Sequence, residues 1–594
     1  MSTQLLAIAI GPVQDFIATA RRTRDLWFGS YVLSEISKAA ARALRDAGTE
    51  LIFPAPDLAS DLEPGSSLNV ANKILAVVPE SLDAQILSGK AREAAQNRWL
   101  EFAEEARGMA QGAVRDEIWE DQIHDVIEFY SAWAPLNDNY KACRERVERL
   151  LAGRKSLRDF HSAKGRAGIP KSSLDGARES VLVDPKKLGR AARAKARLKD
   201  NEQLDAVGLV KRLADKPETQ LVSVSRIAAD PWVRHIAGSL GGKVKLDQIA
   251  NLCHYDFAST ISDPTFEAFQ KEGTVLYRSR LDTLIKDGDM EEHRENKLKL
   301  IKNVLAQMTS EQQDGGLGFG EPSPYLAILV ADGDSMGAAL SRIDSKDQHQ
   351  KFSQQLSQFA GEAKRVFAKN HGCLVYSGGD DVLGFLPLDT CLKAARELHE
   401  RFGALMNGFK TGEQGGAPTL SVGIAIGHCM EDLEDLLEMG RHAERAAKAG
   451  RKADQSDDRN GLAIHVTTRG ADATTVRAQW TDEPDKKLEQ WIGLLLSGQI
   501  PDKLAYELRQ MASEYSGWDW VSAELLQADV QRLLKKKRSG GEKLSEETTR
   551  LLFESLKTPE DLLRRASELI IAKHLSEGMK KSGHNRKIAM EKNT

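Results

Sequence analysis

At 594 residues the chain is too long for a single hydrophobic core, and its length points to roughly three to five domains. Hydrophobic residues make up 41% and charged residues 29%, the range of an ordinary soluble globular protein. A formal net charge of −4 excludes a polycation built to coat nucleic acid, so any nucleic-acid contact has to be regional.

Read in chain order, Leu5–Ile10 is a buried strand that Gly11-Pro12 breaks, and an amphipathic helix follows through Ala47. Further strands are expected at 51–54 and 73–79, and helices at 83–114 and 138–153, which together open an α/β unit over 1–160. From about 154 to 197 the composition turns basic and glycines interrupt it. Residues 202–312 then read as mostly helical, giving a loop-rich and helical segment over 161–315. The glycine-rich stretch 315–320, followed by Pro322 and Pro324, is a linker.

A second α/β unit is expected over 321–470. The apolar run Tyr325–Ala331 ends in Asp332-Gly333-Asp334, and a helix over about 348–370 leads to Cys373–Tyr376. The turn Ser377-Gly378-Gly379-Asp380-Asp381 joins that strand to Val382–Leu386. A helix at 390–408, a strand at 419–426, a helix at 432–449 and a last strand at 462–466 complete it. This order with an antiparallel hairpin predicts an α+β, ferredoxin-like unit. Residues 471–594 are expected to be helical to the end. Two α/β units hint at an internal duplication.

The five cysteines (Cys143, Cys253, Cys373, Cys391, Cys429) include no C-x-x-C pair, as expected for reduced thiols in a cytoplasmic protein. No basic leader opens the chain, and no apolar stretch approaches the ~20 residues that span a bilayer, so neither a signal peptide nor a membrane anchor is expected.

The chemistry concentrates in the carboxylates. Asp380 and Asp381 at a hairpin tip, with Asp332 at the end of an earlier strand, bring together negative charges that need divalent cations to neutralise them. Hard oxygen ligands suit Mg²⁺ or Mn²⁺, and two ions ~4 Å apart activate a ribose 3′-hydroxyl and stabilise a leaving pyrophosphate. Asp332 supplies a carboxylate and Gly333 a backbone carbonyl. The backbone from Gly333 through Asp334, Ser335 and Gly337 enters a helix whose N–H groups suit a triphosphate. Ser377, Gly378 and Gly379 let backbone approach a ligand closely. Lys448 and Arg451, at the end of a helix of the same unit, are candidates for triphosphate oxygens, and equally for ordinary helix C-terminal cations.

With these residues in place the sequence resembles the large, polymerase-like subunit of type III-B (Cmr) CRISPR effector complexes. The matching stretches are 10–17, 23–31, 204–213 with Lys211-Arg212, 224–232, the Asp332 strand, Gly378–Asp381 and 420–424. The resemblance implies two cyclase-like palm domains, the first over 1–160 without the Gly-Gly-Asp-Asp turn and the second over 321–470 with it. A helical middle and a helical C-terminal domain are also implied. It implies a cyclic oligoadenylate synthase that converts ATP with two Mg²⁺ or Mn²⁺ ions when the complex binds target RNA. Asp332, Asp380 and Asp381 are then the catalytic metal ligands. Partners implied are the other type III-B subunits, guide RNA and target RNA.

Two departures accompany the resemblance. The chain starts at the first palm, so no HD nuclease activity is expected, and His124-Asp125 reads as coincidence. Serines and Asp205 stand where relatives carry cysteines, so no zinc is expected. Basic stretches at 21–24, 186–199 and 535–538 are candidates for RNA phosphates or solvated faces. Ser30 is a weak candidate for a second nucleotide pocket. A stand-alone nucleotide cyclase and a catalytically idle scaffold of the guide-RNA complex stay open as alternatives.

Overall fold

A computed structural model describes residues 2–583 apart from 158–164, 190–191, 193–194, 197, 199–200, 215–221, 255–256, 287–291, 311–316, 414, 449–458, 469–472, 519–520 and 538–545. Arg451, the first two glycines of the linker, parts of the 186–199 basic stretch and Arg538 lie outside the described residues.

The first sheet comes from a βαββαβ succession. Strand β1 (Gln4–Gly11) leads to helix α1 (Thr23–Asp46). Strands β2 (Glu50–Phe53) and β3 (Lys73–Val78) follow, then helix α2 (Ala84–Met109) and strand β4 (Glu128–Pro135). Their order is β2-β3-β1-β4, antiparallel throughout. β1 is apolar at every interior position because both its faces are covered. Leu6, Ile8 and Ile10 meet α1 and α2, whereas Leu5, Ala7 and Ala9 meet helix α3 (Tyr140–Ser156). Strand β4 was not among the expected elements.

The middle segment is clamped to this unit by buried charge. Helix α4 (Ala206–Leu213) carries Arg212, whose guanidinium donates to Asp25 at 2.8 Å and Glu202 at 3.0 Å with 1% of its side chain exposed. Lys211 beside it donates to the carbonyls of Phe16 and Thr19, and burial pushes its ammonium down to about 8. Arg24, part of the basic stretch 21–24, donates to the carbonyl of Ala214. Helix α5 (Val224–Ala237) repeats the device toward the other side. Arg226 and Arg234 share Asp230, and Arg234 also grips Asp389 at 2.8 Å. Hydrogen bonds hold the segment around 171–208: Lys171 and Glu179 form an isolated β-bridge, Ser173 N–H donates to the Gln203 carbonyl, and the Asp205 carboxylate caps α4 by accepting from Gly208 N–H.

The second sheet repeats the topology and extends it. Strand β5 (Tyr325–Asp334) is followed by helix α6 (Lys346–Lys369), strands β6 (Cys373–Ser377) and β7 (Val382–Leu386) and helix α7 (Cys391–Met406). Strand β8 (Thr419–His428), helix α8 (Leu433–Lys448) and strands β9 (Gly461–Val466) and β10 (Thr474–Gln479) complete it. The order is β10-β9-β8-β5-β7-β6, with β9 parallel to β8 across α8 and all other neighbours antiparallel. Strand β10 corrects the expectation of an all-helical chain after residue 470. Its sequence, Thr-Thr-Val-Arg-Ala-Gln, is mostly polar because only an edge position is being filled. Beyond it the described elements are helical except for short 3₁₀ turns, and helix α9 (Pro559–Lys581) is sheathed on nearly all sides.

Both faces of β5 are covered. Ala327, Leu329 and Ala331 share a core with Phe359, Phe367 and Leu398 of α6 and α7. Leu326 and Ile328 share one with Leu436, Leu437 and Ala443 of α8, and that core runs on through the middle segment to the first sheet. The two α/β units also touch directly through α6: Tyr140 OH of α3 meets His349 Nδ1 at 2.7 Å, and Ala55 N–H donates to Ser353 Oγ at 3.1 Å.

Removing one member of a buried ion cluster strands the others. Asp25→Ala is therefore expected to lower stability by about 3 kcal/mol or more, whereas the triple replacement Asp25→Leu/Glu202→Leu/Arg212→Met costs less than that single change. Urea unfolding followed by tryptophan fluorescence checks the order of the two midpoints.

Candidate functional site

The site grows from the C-terminal end of β5. Asp332 pairs across to Ser421 and Asp334 to Thr419 on β8, so the two acids fall on one face, the face α8 covers. Gly333 between them points the other way, toward the hairpin. A Cβ there would lie 2.8 Å from Asp380 Cβ and 2.8 Å from Met336 Cγ, so only glycine allows β5 and the hairpin tip to approach this closely.

The hairpin itself is tight. Ser377 pairs with Val382, the Gly378 N–H donates to the Asp381 carbonyl at 3.1 Å, and Gly379 takes φ +121°, which disfavours any side chain. A Cβ on Gly378 would strike the Tyr376 hydroxyl. Asp380 and Asp381 thereby stand beside Asp332, and one ligand oxygen from each lies within 4.8 Å of the others. Among the described residues this is the group of three that can hold a metal ion.

Charge crowding shows in the acidities. Burial, with Asp381 adding repulsion, pushes the Asp380 carboxyl up to about 7, and desolvation raises Asp381 too, although its side chain is the most exposed of the three. Carboxylates this reluctant to ionise alone fit a site completed by divalent cations, and an all-carboxylate oxygen donor set suits Mg²⁺ or Mn²⁺. Lys448, at the end of α8, contacts Asp332 Oδ2 directly, and burial lowers its ammonium to about 8.

The other expected residues divide. Asp334 lies 2% exposed and turns away from the acids. One carboxylate oxygen accepts from Thr419 Oγ1, Ser421 Oγ and Asn460 N–H at 2.8–3.0 Å, so Asp334 knits β5 to β8 and to the start of β9. Ser335 follows in a left-handed conformation (φ 60°), which turns the chain from β5 into the short helix Met336–Ser341 that contains Gly337. Ser377 is buried, and its hydroxyl has no partner.

One acid escaped the sequence. Glu444, one turn before Lys448 on α8, is a fourth acid at the site, its carboxyl raised by burial and by repulsion from Asp381. The signal available was the i, i+4 spacing of Glu444 and Lys448, which is commonplace on helices. The first unit also reaches the site. Ser30 and Ser34 of α1, with Asn69 and Asn72 before β3, face Tyr376–Gly378 across a cleft, and Asn69 Nδ2 donates to the Ser377 carbonyl at 3.4 Å. His124 is exposed with one acid, Glu120, at 3.5 Å.

Residues 325–462 match the family model for the second palm domain of Cas10/Cmr2, and residues 5–104 match that for the N-terminal region of the CRISPR-associated protein Cmr2. The chain is 24% identical over 538 residues to the CRISPR system Cmr subunit Cmr2 of Pyrococcus furiosus, covering 74% of this chain and 59% of that relative's length. Its fold is similar to that of a chain in the type III-B Cmr-beta complex in the apo state (TM-score 0.62, 13% identity, 97% of this chain and 82% of the other). It is also similar to one in Cmr-beta bound to cognate target RNA (TM-score 0.58, 12% identity, 97% and 83%). Both Cmr2-type models are thus matched in order along the chain, the carboxylate turn lies inside the second-palm match, and the chain is similar to the Cmr2 subunits of type III-B CRISPR complexes.

Proposed function

We propose that this chain is an ATP-using nucleotidyl cyclase: a cyclic oligoadenylate synthase that works inside a type III-B complex with its other subunits and guide RNA, and is switched on by target RNA. The observation that carries the reading is the convergence of Asp332, Asp380 and Asp381 within 4.8 Å at the junction of β5 and the β6–β7 hairpin. A scaffold gains nothing from acids held where they repel one another. Target RNA enters the proposal because the similar Cmr-beta structure is described as bound to it.

The reaction joins the 3′-oxygen of one nucleotide to the α-phosphorus of another and releases pyrophosphate. Divalent metal, when bound, lowers the energy of the attacking alkoxide and of the charge building on pyrophosphate. This chain's own residues do the rest. Asp332, Asp380 and Asp381, with the Gly333 carbonyl, would hold the metal. Lys448 brings a positive charge within reach of phosphate oxygens. Ser377 and Gly378 form one wall of a narrow cleft, and Ser30, Ser34 and Asn69 form the facing one, so the first unit lines the approach to the hairpin. No described helix is long and apolar enough to cross a membrane.

The deciding experiment incubates the assembled complex with ATP and Mg²⁺ or Mn²⁺, with and without target RNA, and reads products by mass spectrometry. Oligoadenylate that requires target RNA and vanishes in Asp380→Ala/Asp381→Ala is the expected result; no product with any metal, despite intact target binding, leaves a scaffold. In the same assay Gly333→Ala, which pushes Asp380 out of place, is expected to lower the rate about 100-fold. Gly361→Ala, on an open face of α6 where a Cβ meets nothing within 4 Å, leaves the rate unchanged.

A pH signature follows from Asp380. Its folded-state pKa lies above its ordinary value, so the metal-free fold is unburdened below about pH 4 and loses stability as pH rises through 7. Asp380→Asn is expected to stabilise the metal-free chain by about 2 kcal/mol at pH 8, an advantage that disappears toward pH 4. Thermal unfolding across that range measures it, and added Mn²⁺ raises the midpoint of the parent chain more than that of the variant.

A further inference from the structure

Lys448 stands where a cation is needed. Its Nζ touches Asp332 Oδ2 and lies 3.7 Å from Glu444 Oε1, and the side chains of Lys448 and Asp332 are 26% and 29% exposed, so the ammonium has room to move. The helix that carries it does not. A Cβ at Gly423 of β8 would run into the backbone of Ala443 and Glu444, so α8 is seated directly on the sheet. The variable part is therefore the four-carbon stem of Lys448, with one acid on the sheet and another one helical turn back. Asp332 also belongs to the three-acid group, and a divalent ion and an ammonium compete for its carboxylate through mutual repulsion.

We propose that Lys448 is a resident counter-ion of the carboxylate group, which an arriving divalent cation displaces from Asp332 toward Glu444 and the incoming phosphates. The inference rests on the reading of Asp332, Asp380 and Asp381 as a metal site. It goes beyond phosphate binding, because it makes the same ammonium the competitor that metal has to remove. Metal and nucleotide then load as a coupled unit: metal frees Lys448, and phosphate gives the freed charge a place to rest. Glu444 is a positioning residue, the acid that receives Lys448 when nucleotide is absent.

The test uses the full chain without nucleotide. Free Mn²⁺ is followed by electron paramagnetic resonance through a titration, while reductive methylation of Lys448 is quantified by peptide mass spectrometry in the same samples. Saturating Mn²⁺ is expected to raise Lys448 methylation severalfold in the parent chain and not in Asp380→Asn/Asp381→Asn. Lys448→Gln, relieved of the competitor, is expected to bind Mn²⁺ about fivefold more tightly, Lys448→Arg to stay near the parent value, and Glu444→Gln to bind more weakly. Mn²⁺ binding that depends on Asp380 and Asp381 but leaves Lys448 methylation unchanged overturns the inference and keeps the metal site. Absence of any such Mn²⁺ binding overturns both.

Discussion

Three carboxylates with ligand oxygens inside 4.8 Å repel one another, and the second sheet is organised to hold them together regardless. The restraint comes from below. β5 lies between β7 and β8 with apolar side chains buried on both faces, so its end cannot drift. Gly333 removes the side chain that would keep the hairpin away, and Gly379 adopts the backbone angle the tip needs. Asp334, next to the crowded acids, takes three hydrogen bonds with one oxygen and pins the strand end to β8 and β9. Packing and hydrogen bonding thus outweigh a local electrostatic penalty, and the raised pKa of Asp380 reflects its burial and the repulsion from Asp381.

The first sheet has the same strand order but no acids at the corresponding place, and its contribution is a wall. Ser30, Ser34 and Asn69 close the cleft opposite Ser377 and Gly378. The wall is useful only at a fixed distance, and the middle segment sets that distance with two buried ion clusters. Asp25, Glu202 and Arg212 bind it to the first unit; Arg226, Asp230, Arg234 and Asp389 bind it to the second. Buried charges are stable only with their partners in place, so they define one geometry where apolar contact alone would tolerate sliding.

Much of this was readable from residue order. Leu5–Ile10 and Tyr325–Ala331 are continuous apolar runs cut off by Gly-Pro and by Asp-Gly-Asp, and both are central strands buried on two faces. Ser377–Asp381 announces a hairpin whatever surrounds it, because its glycines and acids suit a turn and little else. Strands β4 and β10 were not readable, for different reasons. β4 carries aromatic residues straight after a helix with no glycine or proline to separate them, and β10 is an edge strand whose side chains are mostly partly exposed. Polar alternation at an edge looks the same as a loop until a neighbour pairs with it.

Local order along the chain therefore specified the strand-ending acids, the hairpin and the repeated α/β succession, since each is written within a dozen consecutive residues. Distance in the chain hid the rest. That Lys211 and Arg212 brace the first unit, that Asp334 faces the sheet while Asp332 faces the acids, and that Glu444 and Lys448 complete the cluster all depend on contacts between residues roughly 80 to 200 positions apart. Side-chain chemistry names which groups can bind a cation. Register, helix placement and burial choose which of them come together, because those properties arise only when the sheet closes and water is excluded.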